Sequence, residues 1–496
     1  MEIESKTQEK TGLINRVSGL MKGKVLEVAK KAKKTGQDDP RRIVHSLKVG
    51  LALTLVSSFY YLRPLYDGFG QSGMWAVQTV VLVFEFRVGE TLSKSMNTGF
   101  ATLLADTLGV GAQQLACLFG HKGHPIVLGL FVFLLAATST FTRFFPNIKA
   151  RYDYGVLIFI LTFSLVAVSG YRADEILVPS RQRLSTILIG GAICIVISIF
   201  LVPVWAGEEL HNLVAANVEK LGSFLEGFGN ECFKDSPDTG DSSIVAAREE
   251  KSFLQVYKGV LNTKATEDSL ANFARWEPGH GRFKFRHPWK QYLKIAALSR
   301  ECAFHFEALC AYINSDIQEP TNFQRKIRQP CMKMSLESSK ALKELASSIK
   351  TMTHPSAADV HMENSKTAAD ELKAAIEAAS KETETSNLLD IIPAVAAASV
   401  LPDHIIKCID KIGESVHELS HQAHFKKLED QSTVSPEKPQ LPHRGTVKPV
   451  SDVDVDGDGD GDRDHVIITV HETSLESPEN IGNPQASKST VPRAEQ

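Results

Sequence analysis

The chain has 496 residues, of which 43% are hydrophobic and 23% charged, and its formal net charge is −3. This slight acidity argues against a nucleic-acid-binding protein, whose charge balance would be strongly basic. The seven cysteines include no C-x-x-C spacing, which indicates reduced thiols facing the cytosol and argues against a disulfide framework.

These averages conceal four parts of different composition. Residues 1–42 are polar and basic and lack the apolar core of a signal peptide, so we expect a cytosolic N-terminal segment. Residues 43–205 are strongly apolar, and residues 206–427 are amphipathic. Residues 428–496 are acidic and short of aromatic side chains, a composition that predicts a disordered tail.

Six apolar segments in the second part approach the length that a helix needs to cross a bilayer, about 20 residues. Backbone polar groups must be paired internally in lipid, so each segment is predicted to be helical. A large soluble helical core is the alternative, but the short connections favour a membrane bundle. The segments are 45–65, 73–88, 98–119, 125–145, 153–170 and 183–205. The predicted fold class is an all-α membrane protein with six transmembrane helices.

Lysine and arginine are concentrated before the first segment and after the second and the fourth. The positive-inside rule therefore places the N-terminus in the cytosol, and six crossings return the chain to the cytosol. Three cations, Lys122, Arg172 and Arg181, fall on the outside and depart from the rule.

Residues 206–427 contain helical patterns with one apolar face, separated by breaks. We expect a cytosolic helical domain whose apolar faces pack against one another or across a dimer. The clearest helical patterns lie at 210–233, 289–313, 331–352, 365–382 and 401–425.

Two short patterns in the C-terminal half imitate metal sites. HELSH at 417–421 matches the H-E-x-x-H pattern of zinc proteases, with Glu418 in the position of the base. This pattern recurs by chance and no third ligand is evident, so we expect no enzyme. The acidic run at 452–462 imitates an EF-hand loop but lacks its final glutamate. The sequence indicates no cofactor.

Three long segments carry a resemblance to a known family. They are MWAVQTVVLVFEFRVGETLSKSMNTG at 74–99, STFTRFFPNIKARYDYGVLIFILTFSLVAVSGYR at 139–172 and WEPGHGRFKFRHPWKQY at 276–292. The chain resembles the plant aluminium-activated malate transporter family from about residue 39 to about residue 425. The resemblance implies a six-span anion channel, assembled as a homodimer in lipid, with a helical cytosolic domain. More distantly, the membrane part resembles bacterial aromatic-acid exporters.

The resemblance also implies which cations line the pore. Arg143 ends the fourth segment and Arg183 opens the sixth, where arginines of the family form a pore-lining pair that a dimer doubles. An arginine suits a carboxylate because its planar fork donates two parallel hydrogen bonds. Position alone favours Arg143 as a snorkelling anchor at the membrane surface, and only the resemblance favours the pore. The two arginines need not form one site.

Arg87, Lys94 and Lys149 could form an inner funnel that concentrates anions. The alternative for Lys149, and the favoured interpretation of Arg151, is a plain anchor at the inner face of the membrane.

Acidic residues raise two further expectations. The acidic cluster that the resemblance implies on the outer face, a site for a trivalent cation, corresponds to Asp67 and Asp174, with Glu175 beside them. A third acidic position of the family is Val178 in this chain, which leaves aluminium activation open. Asp106 lies in the third segment, where a carboxylate facing the pore would repel an anion, so we expect it to pair with a cation.

The predicted function is passive efflux of malate and of small inorganic anions through a channel. A dianion leaving a compartment that is 100 mV negative gains about 4.6 kcal/mol, so efflux needs no coupled fuel. A coupled carrier or exporter of aromatic or other organic acids is the alternative. The partners expected are malate, other small anions, membrane lipid and a second copy of the chain. The plasma membrane is favoured over the vacuolar membrane.

Overall fold

A computed structural model describes residues 24, 26–62, 73–170, 177–232, 253–313, 322–382 and 401–427. Within these ranges the regular secondary structure is helical, apart from two isolated β-bridges, His280 with Phe283 and Thr353 with Lys426. The all-α class predicted from the sequence is therefore confirmed for the described part of the chain.

Each of the six predicted apolar segments contains a helix. These helices, with a short helix between the fourth and the fifth, form the N-terminal bundle. It consists of α1 (Pro40–Tyr61), α2 (Gly73–Val83), α3 (Val88–Cys117), α4 (Gly120–Thr142), α5 (Pro146–Arg151), α6 (Asp153–Gly170) and α7 (Leu177–Phe200).

The lengths of these helices differ from the predicted segments. Helices α4 and α7 are long and apolar enough to cross a membrane, whereas α2 and α6 are apolar but shorter. Helix α2 stops at Val83, before the predicted end at residue 88, because a non-helical turn follows it. The Thr91 hydroxyl accepts a hydrogen bond from the Glu85 amide at 3.0 Å and donates to the Glu85 carbonyl at 3.1 Å, which closes that turn.

Local chemistry fixes the start of α1. The Asp39 carboxylate accepts a hydrogen bond from the Arg41 amide at 3.2 Å, and Pro40 occupies the first helical position. An N-cap aspartate and a proline at N1 are both favoured there, since the first turn has unpaired amides and proline has none to lose.

Small residues let the N-terminal helices approach closely. A Cβ added at Gly109 of α3 would lie 2.6 Å from Val166 of α6. A Cβ at Gly190 of α7 would lie 2.9 Å from the Ala76 carbonyl oxygen of α2. Such small-residue contacts are typical of helix packing in membranes.

The outer surface of this bundle is apolar. Only 6% of the apolar stretch within Lys122–Thr142 of α4 is buried. On that helix, Ile126 and Phe133 are 73% and 68% exposed. The core of a soluble protein would bury such a helix, whereas a bilayer covers it with hydrocarbon. The exposure therefore favours the membrane interpretation over the soluble alternative.

The remaining helices form the C-terminal bundle, and each predicted amphipathic pattern contains a helix. A π-helical turn, Leu401–Ile405, precedes the last helix. The bundle consists of α8 (Ala206–Cys232), α9 (Phe253–Val256), α10 (Lys258–Leu261), α11 (Lys264–Ala274), α12 (Trp289–Ile313), α13 (Asn322–Thr351), α14 (Ser356–Glu382) and α15 (Ile406–Gln422).

Large aromatic side chains fill the core of the C-terminal bundle. Phe224 of α8 stacks on Phe306 of α12 with ring centroids 4.3 Å apart, and Tyr257 meets Phe224 edge-on at 5.2 Å. All three are at most 1% exposed. Each such ring buries enough apolar surface to contribute several kcal/mol, so packing rather than helix propensity holds the bundle together.

Candidate functional site

Arg183 lies in the first half of α7, and its head group is buried against two other helices. Its Cζ atom lies 4.4 Å from the ring centroid of Trp75 on α2. The guanidinium also interacts electrostatically with the Asp106 carboxylate on α3. Nε and Nη1 of Arg183 are buried and have no hydrogen-bond partner in the part of the chain that the structure describes. Buried unpaired donors are costly, so these two nitrogens are candidates for binding an anion.

Arg143 has a different environment. Its Nε and Nη2 donate to the two oxygens of Asp153 at 2.6 and 3.0 Å, and the two side chains are each 32% exposed. Arg143 follows the last residue of α4 and Asp153 opens α6, so this fork closes the connection that contains α5. Arg143 pairs with Asp153, whereas Arg183 lies against Trp75 and Asp106, and their assignment to one pore stays a prediction.

Two of the predicted funnel residues, Arg87 and Lys94, bind carboxylates. Arg87 Nε lies 2.6 Å from one oxygen of Glu209 on α8, and Arg41 takes the other oxygen at 3.1 Å. Lys94 pairs closely with Glu85 and lies 3.9 Å from Glu90. These cations are therefore partly neutralised where they stand.

A cavity of ≈ 600 Å³ lies where the N-terminal bundle meets α11. We call it the junction cavity. Helix α3, the α5 connection and α11 supply its walls. Its charged lining consists of four cations, Lys94, Lys149, Arg151 and Arg275, and two carboxylates, Asp153 and Asp268. Asp153 is engaged by Arg143, and Lys94 by Glu85. The remaining charges, those of Lys149, Arg151 and Arg275 against Asp268, leave the cavity cationic.

Two amide side chains hold the α5 end of the junction cavity. Asn97 Nδ2 donates to the Arg151 carbonyl at 3.2 Å, and Asn272 Nδ2 donates to the Ala150 carbonyl at 2.8 Å. Burial, and then repulsion from Arg151, lowers the pKa of Arg275. Two arginines that repel each other while lining one cavity are candidates for binding an anion between them.

Lys94 and Lys149, two of the residues predicted for the inner funnel, both line the junction cavity, and their role in anion transport stays a prediction. Arg151 also lines it, although the sequence favoured an anchor at that position, and Arg275 was not selected from the sequence. Arg275 directly follows α11 and precedes the aromatic motif at 276–292. A cation at the end of a helix is common because the helix dipole favours it there, so the sequence offered little reason to select it.

Glu277 joins the two bundles. Its carboxylate, 4% exposed, accepts hydrogen bonds from the Ala206 amide at 2.6 Å and the Gly207 amide at 3.0 Å, at the start of α8. It also bonds the Gly89 amide, at the start of α3. A buried carboxylate between two helix N-termini is favoured by their unpaired amides and their dipoles. The motif at 276–292 thus supplies a buried contact at the junction.

The pKa of Glu277 predicts a pH dependence of stability. Burial raises this pKa from 4.5 to about 7, against the lowering effect of the backbone hydrogen bonds. The folded state therefore keeps a proton that the unfolded chain releases. The free energy of unfolding should decrease, by up to about 1.4 kcal/mol per pH unit, as pH rises from 4.5 to about 7.

Glu277→Gln cannot titrate and provides the comparison. In thermal melts of detergent-solubilised protein, wild type should lose stability relative to Glu277→Gln across this window, and the difference should become constant above it. A difference that does not change with pH would contradict the assignment.

Three predicted cation-binding residues lie outside the described residues. Asp67 falls within 63–72, and Asp174 and Glu175 fall within 171–176. The outer-face site therefore stays a prediction.

The zinc-protease pattern is engaged in contacts between helices. His417 Nε2 lies 2.7 Å from Asp359 of α14. Glu418 accepts from Lys294 at 3.0 Å and from Gln291 at 2.9 Å, both on α12. The carboxylate that would act as a base is thus committed to packing α15 against α12.

Comparison with known proteins identifies the family of this chain. Residues 33–389 match the sequence profile of a family described as aluminium activated malate transporter. The chain belongs to the aluminium-activated malate transporter family. It is 51% identical to aluminum-activated malate transporter 2 of Arabidopsis thaliana over 403 residues, which cover 81% of this chain and 79% of that protein. The relatives are named as transporters and not as enzymes.

Two further relatives extend the match. Aluminum-activated malate transporter 1 of Arabidopsis thaliana is 45% identical over 94% of this chain and 92% of its own length. Aluminum-activated malate transporter 1 of Triticum aestivum is 46% identical over 86% of this chain and 91% of its own length. The matched region therefore includes both bundles of this family member.

Proposed function

We propose that this protein transports malate across a membrane as a channel for passive anion efflux. The observation that carries the proposal is the junction cavity, in which Arg151, Arg275, Lys149 and Lys94 meet. The names of the relatives, all malate transporters, supply the substrate. In this proposal the N-terminal bundle crosses the membrane six times, and the C-terminal bundle lies in the cytosol.

The junction cavity is the proposed cytosolic entrance. Malate carries two carboxylates at neutral pH, and a guanidinium binds a carboxylate through two parallel hydrogen bonds. Arg151 and Arg275 repel each other, so a dianion between them relieves that repulsion. A cationic cleft also raises the local concentration of anions above that of the bulk.

Arg183 is the proposed binding position within the membrane. Nε and Nη1 can donate to one carboxylate of a passing malate ion or to a small inorganic anion. Asp106 and the Trp75 ring offset part of the cationic charge. Conduction requires binding that is favourable for entry yet weak enough for release, and this partial neutralisation meets both conditions.

In this proposal the protein assembles as a homodimer and binds a trivalent cation on its outer face. The homodimer would double Arg183 around one passage, and Arg143 would contribute through its place at the end of α4. Asp67, Asp174 and Glu175 are the proposed outer-face ligands of a trivalent cation. The plasma membrane is the proposed location.

The junction cavity predicts how malate dependence should change. Replacing Arg151 and Arg275 together by glutamine should raise the cytosolic malate concentration for half-maximal current by roughly tenfold, with little change in the current at saturation. Inside-out patches with stepped malate concentrations measure both quantities. Arg42→Gln, which removes an exposed arginine at the start of α1, is the matched control. If the half-maximal malate concentration of the double variant equals that of wild type, the junction cavity is not the cytosolic entrance.

The coupled-carrier alternative is tested with the same patches. For a channel, the reversal potential follows the malate gradient and does not respond to an imposed proton gradient. A reversal potential that shifts with the proton gradient would establish coupling and replace the channel proposal.

A further inference from the structure

A cluster of metal-ligand side chains lies in the C-terminal bundle, away from the junction cavity. Glu301 and His305 are four residues apart on α12, so they share a face of that helix. Cys408 of α15 lies opposite. The carboxylate oxygen, imidazole nitrogen and thiol sulfur of these three residues all lie within 4.8 Å of one another.

A second histidine lies beside the cluster. The ring centroid of His404 is 4.9 Å from that of His305. His404 belongs to the π-helical turn Leu401–Ile405, four residues before Cys408. π-Helical insertions are frequent at functional sites because they reposition a side chain relative to a regular helix. Glu301 and His305 on α12 are thus spaced by four residues, and so are His404 in the π-helical turn and Cys408 on α15.

We propose that Glu301, His305 and Cys408 bind a Zn²⁺ ion, with His404 as the fourth ligand. Sulfur, imidazole and carboxylate donors in a set of four select Zn²⁺, whereas Mg²⁺ and Ca²⁺ require oxygen ligands throughout. Zinc bonds of about 2.0–2.3 Å place neighbouring tetrahedral ligands about 3.5 Å apart. The donor atoms of Glu301, His305 and Cys408, all within 4.8 Å of one another, lie close to this spacing. His404 would turn its ring towards them to complete the set.

Neighbouring groups set the conditions for binding. Lys411 Nζ lies 3.1 Å from Glu301 Oε1, and a metal ion would displace this ammonium group from the carboxylate. Cys408 is 2% exposed, and burial raises the pKa of its thiol to about 11. Coordination transfers the thiol proton to solvent, since zinc binds the thiolate.

The expected consequence is a metal bridge between α12 and α15. Helix α15 also carries Glu418, which bonds Lys294 and Gln291 on α12. A zinc ion bound to the folded state alone stabilises it by mass action. The ion would thereby stabilise the packing of α15 against α12. This structural role is separate from anion transport.

Cobalt binding to the full chain in detergent tests the proposal. Co²⁺ replaces Zn²⁺ and reports a thiolate ligand through a near-ultraviolet charge-transfer band. Wild type should bind one Co²⁺ per chain with that band, and Zn²⁺ should displace it. Cys408→Ser should lose the band, and His305→Ala and Glu301→Gln should each weaken binding by roughly tenfold or more. Glu301 is exposed, so its variant leaves the core intact.

Two other thiols provide controls. Cys331 on α13 is buried like Cys408, and Cys331→Ser should bind Co²⁺ as wild type does. Cys302 lies near Cys408. Cys302→Ser should keep the charge-transfer band, which would show that Cys408 and not Cys302 is the thiolate ligand. The proposal is overturned by wild type that shows no charge-transfer band, or by a band that persists in Cys408→Ser. A melting temperature of the metal-free variants equal to that of wild type confirms their folding.

Discussion

Arg183→Gln is expected to reduce malate current by roughly tenfold to a hundredfold while the protein still reaches the membrane. Charge-assisted hydrogen bonds contribute about 1.5–3 kcal/mol each, and 1.4 kcal/mol corresponds to tenfold. Glutamine keeps a polar head group but loses the charge and the planar fork. Whole-cell current with malate inside, normalised to surface protein, measures the effect.

Arg181→Gln is the matched control for this experiment. Arg181 lies two residues earlier on α7 and is exposed, so its replacement should leave the current unchanged. Arg183→Lys separates charge from geometry, because it keeps the cation and loses the bidentate fork. We expect an intermediate current for Arg183→Lys. If Arg183→Gln carries the same current as wild type at equal surface density, Arg183 does not contact the permeating anion.

Arg143 illustrates what position in the sequence leaves open. A cation at the end of an apolar segment fits both a pore residue and an anchor, and the resemblance favoured the pore. In the structure its fork is filled by Asp153, ten residues ahead. The ion pair depends on the path of the short connection through α5, and no periodicity in the sequence reports that path.

Helix positions could be predicted because apolar periodicity and charge breaks are local signals. The predicted pattern at 289–313 coincides with α12. The junction cavity could not be predicted, because it joins residues far apart in sequence, such as Arg151 and Arg275. Only the docking of α11 against the α5 connection brings them together. The metal-ligand cluster was missed for the same reason, since Glu301 and Cys408 come from different helices.

Glu277→Ala is expected to destabilise the junction between the bundles more than any surface substitution. The buried amides of Ala206, Gly207 and Gly89 would lose their shared acceptor. An unsatisfied buried amide costs about 1–3 kcal/mol, so the loss should be on the order of 3–5 kcal/mol. We expect a melting temperature several degrees lower and a smaller malate current, because α3 enters the N-terminal bundle from this junction.

Gly89→Ala tests the same junction without changing the carboxylate. A Cβ at Gly89 would lie 2.4 Å from the Phe273 carbonyl oxygen and 3.0 Å from Glu277 Cγ, so α3 and α11 must separate. Gly111→Ala is the control on the same helix, since a Cβ there meets no atom within 4 Å. The Glu277→Ala and Gly89→Ala effects should be less than additive, because both act on one contact. If both variants melt at the wild-type temperature, Glu277 does not hold the two bundles together. The walls of the junction cavity would then not depend on this contact.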